Sequence, residues 1–180
     1  MSTWGGPARD MGEVMAEGDR PKALLDGLQN CEQPLHHFLR ACAQSMPDAP
    51  ALDIPPGKGR AARDALTYQE LDALSDHLAR HLVPRVAKDA IVALLLPRAS
   101  RIHYAAQLAV LKAGGAFTCL DPNFPVERIG EILEDAQPVA VLADAAAMAR
   151  LSPLNLPDGL LHDANRLDGQ SLSSGLMKSK

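Results

Sequence analysis

Six histidines and three cysteines are the side chains best suited to nucleophilic, acid–base or metal chemistry, so their spacing is decisive. His36 and His37 are adjacent and point away from one another on a helix, which suits solvated or locally bonded rings. His77 and His81 have the i, i+4 spacing of a metal-binding pair. No third ligand stands near them, and a packing helix is the expected setting. His103 and His162 have no sequence-local base or nucleophile beside them. Cys31, Cys42 and Cys119 form no CxxC or Cys/His pattern, which points to a reducing compartment and no zinc. Cys119 lies in a short strand-like run and is expected as a small buried hydrophobe rather than a reactive thiolate.

Three carboxylates fall near the ends of elements: Asp121, Asp135 and Asp144. Asp121 follows a strand, where α/β folds bind ligands, and it serves either a ligand contact or turn hydrogen bonding. No fixed carboxylate pair or metal cluster accompanies them. Gly57-Lys58-Gly59 lacks the GxxxxGK[ST] spacing and the hydroxyl that would meet Mg²⁺, and reads as a solvent loop. GxGxxG, GxSxG and HExxH are all missing, which removes the common motif routes to dehydrogenases, α/β-hydrolases and zincins. The residues therefore assign no catalytic, cofactor-binding or metal position.

The elements that would hold these side chains are more legible. Leu35, Phe38, Leu39 and Cys42 repeat at helical spacing after Pro34, predicting a helix that ends near Pro47. Ala51 to Ile54 reads as a short strand, and Pro55 to Asp64 as a turn or exposed loop. Thr67 and Glu70 form a possible capping box for a helix striped by Leu71, Leu74, Leu78 and Leu82, which Pro84 stops. Ile91 to Leu96 is apolar without alternation, the pattern of a strand buried under helices on both faces. Ser100 starts a second helix to Ala113, with Gly114 as a left-handed exit and Gly115 allowing a close turn. Ala116 to Leu120 is the next strand, Val126 to Asp135 a helix led in by Pro125, and Val139 to Leu142 a further strand. This alternation predicts a mostly parallel α/β sheet with flanking helices and right-handed crossovers. Three regions are expected: a flexible leader over 1–33, the folded part over 34–151 with a short helix at Ala145 to Leu151, and an irregular or frayed tail over 152–180.

Composition is globular, at 47% hydrophobic and 22% charged, so a packed core is expected. Net charge is −4 with no Lys/Arg block, which argues against nucleic acid. Aromatics at 3% leave few platforms for stacking bases. No apolar run approaches the roughly 20 residues that span a bilayer, and the first residues lack an apolar signal core. No membrane association and a cytoplasmic location are expected.

Two segments resemble a known family. Leu66-Thr67-Tyr68-Gln69-Glu70-Leu71 is similar to the first core motif of amino-acid adenylation domains from nonribosomal peptide synthetases. Leu111-Lys112-Ala113-Gly114-Gly115-Ala116-Phe117-Thr118-Cys119-Leu120-Asp121-Pro122 resembles the next core motif, and Phe124-Pro125-Val126-Glu127-Arg128-Ile129 continues it. Pro47-Asp48-Ala49-Pro50-Ala51 and Pro97-Arg98-Ala99-Ser100 fall in the expected order, so the resemblance covers about residues 34–143. It implies the N-terminal subdomain of an adenylate-forming, AMP-dependent synthetase/ligase. Complete members activate a carboxylate with Mg-ATP, release pyrophosphate and pass the acyl group to a phosphopantetheine carrier.

By this resemblance, the family's Ser/Thr/Gly-rich phosphate loop, later nucleotide motifs, substrate pocket and C-terminal catalytic Lys are expected after Lys180. Alone, the chain is expected to be a partial, noncatalytic adenylation domain that needs no cofactor. Its expected partner is a downstream adenylation region or a larger synthetase. A short interaction protein or vestigial product is the alternative. Cys119 takes a position that the family gives to a small apolar residue or Pro. The acyl or amino-acid substrate, the natural product and the oligomeric state are not legible.

Overall fold

A computed structural model describes residues 34–57 and 62–167. The leader expected over 1–33, Lys58 and Gly59 of the glycine loop, and residues 168–180 of the tail lie outside the described residues. The element order is α1 (Leu35–Ser45), β1 (Pro50–Ile54), β2 (Asp64–Thr67), α2 (Tyr68–Leu82), β3 (Ile91–Leu95), α3 (Arg101–Lys112), β4 (Ala116–Cys119), α4 (Val126–Ala136), β5 (Ala140–Ala143), α5 (Ala145–Leu151), a 3₁₀ turn (Ser152–Leu154) and β6 (Leu161–Asp163).

β3 is central in a four-stranded sheet of order β4-β3-β5-β6, and every pairing in it is parallel. Its unbroken apolar sequence follows from its two covered faces. Val92 and Leu94 pack with α2 and α3 on one side, while Ala93 and Leu95 pack with α4 and α5 on the other. All four are fully buried, each larger side chain contributing about 1.5–3 kcal/mol. β5 repeats the arrangement, with Ala140 and Leu142 facing one layer and Val141 and Ala143 the other. The chain runs from β3 out to β4, then recrosses to β5 and on to β6. The connections leaving β3 and β5 therefore diverge, which makes the carboxyl ends of these two strands the switch point of the sheet.

The expected capping box is formed. Glu70 N–H donates to Thr67 Oγ1 at 3.2 Å, and Thr67 N–H donates to Glu70 Oε2 at 2.9 Å. Gly114 takes the left-handed exit from α3 at φ 84°. Gly115 is tight for another reason, because a Cβ there would lie 2.6 Å from Val86 Cγ1 and 2.8 Å from the Ala90 carbonyl. β4 begins at the next residue, where Ala116 N–H donates to that same carbonyl.

Two expectations need correction. The segment Pro55 to Asp64 ends in β2, which pairs antiparallel with β1 as a separate two-stranded sheet. The irregular structure expected from residue 152 is interrupted, since Leu161, His162 and Asp163 add β6 to the main sheet beside Val141, Leu142 and Ala143. Pro153, Pro157 and Gly159 shape the approach to this strand rather than marking the end of the fold. Among the described residues no helix is long and apolar enough to cross a membrane.

Candidate functional site

The carboxyl edge of the sheet collects four of the residues singled out by sequence: His103, Cys119, Asp121 and Asp144. β3 leads through Leu96 and Pro97 to Arg98, and α3 then starts at Arg101 after Ser100, whose side chain makes no capping bond. His103 lies in the first turn of α3 and is 5% exposed. Its Nε2 is 2.8 Å from Gln107 Nε2, so the amide donates and the ring accepts. The same amide nitrogen lies 3.8 Å from Cys119 Sγ. Burial first, then the charge of Arg98, lowers the His103 pKa, while the Leu96 carbonyl opposes them. That carbonyl nevertheless makes no well-formed hydrogen bond to Nδ1, which has no geometric partner.

Cys119 is exposed at the end of β4, not buried as expected. β4 is paired on one side only among the described residues, so the end of the strand stays open. Partial desolvation of the sulfur still raises the thiol pKa, against a smaller opposing effect of Arg98. This is the wrong direction for a nucleophilic thiolate. His103 reaches Cys119 only through Gln107, so the three side chains form no nucleophile–base pair.

Asp121 Oδ1 accepts from both the backbone N–H and the side-chain amide of Asn123 at 2.9 Å. These bonds, ahead of the Arg98 charge, hold its pKa below the ordinary value. Asp144 Oδ1 caps α5 by accepting from Ala147 N–H at 2.8 Å. Both acids are thus engaged in their own turns. Asp135 is elsewhere: the last turn of α4 lies toward the amino edge of the sheet, opposite Asp121.

The remaining histidines are scattered. His36 and His37, expected to point apart, instead touch edge to face at 4.6 Å, and His77 and His81 do so at 5.3 Å. His162 is on β6. Among the described residues no group of three His, Cys, Asp or Glu side chains is placed to hold a metal ion.

The residue that sequence reasoning missed is Lys112. Its side chain is 6% exposed, with Nζ 2.6 Å from Asp72 Oδ1 and 2.7 Å from Asp76 Oδ1. It also donates to Ser75 Oγ at 2.8 Å and to the Asp72 carbonyl at 3.0 Å. Arg40 approaches Asp76 from α1 at 3.5 Å. A single ammonium therefore bolts α3 to α2. The signal was present: Asp72, Ser75 and Asp76 share one helical face, and Lys112 sits between apolar Leu111 and Ala113.

Comparison with known proteins places this geometry. Residues 39–173 match the family model described as AMP-binding enzyme. Malpinin synthetase from Mortierella alpina is 38% identical over 130 residues, covering 72% of this chain and 2% of the synthetase. Bacitracin synthase 3 from Bacillus licheniformis is 32% identical over 136 residues, covering 73% of this chain and 2% of that protein. The chain thus spans a small fraction of the length of these relatives. The N-terminal subdomain of Klebsiella oxytoca NpsA has the same fold, with a TM-score of 0.60 at 24% identity over 76% of this chain and 32% of that one. With two adenylation-type motifs set on this sheet and a family match over most of its length, the chain belongs to the AMP-binding enzyme family and carries an N-terminal part of an adenylation domain.

Proposed function

We propose that this chain is the scaffold portion of a carboxylate-activating adenylation unit of the nonribosomal peptide synthetase type, and that it does not catalyse adenylation alone. The observation carrying this reading is coverage: the chain corresponds to 32% of the NpsA N-terminal subdomain and 2% of malpinin synthetase, which supports a part of an adenylation unit. Mg²⁺ prefers oxygen ligands in octahedral array, shared between carboxylates and substrate phosphates. At the carboxyl edge, Oδ1 of Asp121 and of Asp144 accepts from N–H groups of its own turn, and no group of three His, Cys, Asp or Glu side chains is placed for a metal ion among the described residues. In this reading the Mg-ATP site is completed by residues from the rest of the synthetase.

The motifs supply geometry instead. Thr67 and Glu70 fix the start of α2, Lys112 locks α2 to α3, and Gly115 brings β4 against β3. Further parts of a synthetase, in the same or another chain, would add the nucleotide machinery and engage a phosphopantetheine carrier. A cytoplasmic setting suits the free thiols of Cys42 and Cys119. The test is substrate-dependent ATP–pyrophosphate exchange across a panel of amino and aryl acids. No exchange above background is expected from the 180-residue chain. Exchange by the chain alone would overturn the noncatalytic reading.

A further inference from the structure

Outside the carboxyl edge, the C-terminal turn of α2 and strand β6 enclose a pocket of about 80 Å³ lined by His81, Leu82, Arg85, His162 and Leu167. Three of these five side chains are basic or can become so, and no carboxylate is among them. Two leucines form the rest of the wall and lower the local polarity. The volume corresponds to two or three waters at about 30 Å³ each, the size class of a single tetrahedral oxyanion.

We propose that this pocket binds a phosphate-sized oxyanion, held directly by Arg85 and His81. The proposal is independent of the adenylation reading. Arg85 is already oriented, because Nη1 donates to the His81 carbonyl at 2.9 Å. That bond uses one of five guanidinium N–H groups and leaves the others for a ligand. The end of a helix repels anions through its open carbonyls. Here three of the last four carbonyls are occupied: Ala79 by Val83 N–H, His81 by Arg85, and Leu82 by Arg85 N–H and Val86 N–H.

His162 supplies the third basic group. Its Nε2 is sealed from solvent and has no partner among the described residues. The Gly159 carbonyl favours its protonated form, but burial and, secondarily, the charge of Arg85 keep its pKa low. An anion beside Arg85 would offset that charge and let the ring take up a proton. Of the groups nearby, Asp163 faces Arg166 at 3.4 Å, Arg80 Nη2 lies 3.1 Å from His77 Nδ1, and His77 meets His81 edge to face.

The experiment is a titration of the 180-residue chain with inorganic phosphate at constant ionic strength, following the imidazole signals of His81 and His162 by NMR. A saturable shift with millimolar affinity is expected, stronger near about pH 6 than at about pH 8, with the His162 pKa raised by bound phosphate. Arg85→Met, at an exposed position that leaves the core intact, should weaken the response about tenfold. No saturable shift in the wild-type chain, an equal shift with chloride, or an undiminished shift in Arg85→Met would each overturn the proposal.

Discussion

Three imidazoles set an acid limit on this fold. His36, His103 and His162 all have lowered pKa values, each chiefly through burial. A group whose pKa is lower in the folded than in the unfolded state binds more protons when unfolded, so stability rises with pH across the interval between the two values. The penalty begins as pH falls through the ordinary histidine value of 6.5, well above the range where Asp121 protonates. The urea midpoint is expected to drop between about pH 7 and pH 5, and His103→Gln should flatten that slope. An unchanged slope in the variant would remove His103 from the account. Lys112 makes a second prediction at this scale. Lys112→Met leaves Asp72 and Asp76 facing each other in a partly buried space, and should cost about 3 kcal/mol in urea unfolding. Asp76 is 37% exposed at its side chain, which keeps the figure at the low end for a broken buried pair.

Connections decide how the elements stay in place. Gly115→Ala would drive a methyl into Val86 and the Ala90 carbonyl, and is expected to cost about 1–3 kcal/mol. Gly114→Ala meets open space but must hold φ 84°, a penalty of about 1 kcal/mol. Thermal unfolding of the two variants should therefore rank Gly115→Ala as equal or worse. Thr67→Ala removes one half of the capping box and should cost about 1 kcal/mol. The helices and the three strands β3, β4 and β5 were legible because their signals are local: a cap, a stripe, a glycine exit, an apolar run. β2 and β6 were not. Asp64–Thr67 is a strand because β1 lies beside it, and Leu161–Asp163 because β5 does. Neither segment carries enough periodicity to announce a pairing made elsewhere in the chain. Cys119 was misread for the same reason, since its burial depends on whether β4 has a neighbour on its far side.

At the scale of the molecule, the sheet order explains why the family was readable while a site was not. The motifs encode turns and packing contacts, which fix a scaffold, whereas Gln107 reaches Cys119 and Lys112 reaches Asp72 and Asp76 only once the layers close. The order also has a consequence for synthesis. β3 is made before either strand that flanks it, and both of its faces are hydrophobic. Until the ribosome has passed Ala143, the emerging chain displays this stretch with one side of its backbone unpaired. Chains released at residue 137 should therefore associate with chaperones or precipitate, while chains released at residue 167 remain dispersed. Sedimentation of the two translation products would check this. The strand that anchors the finished sheet is thus the strand most in need of protection while the protein is being born.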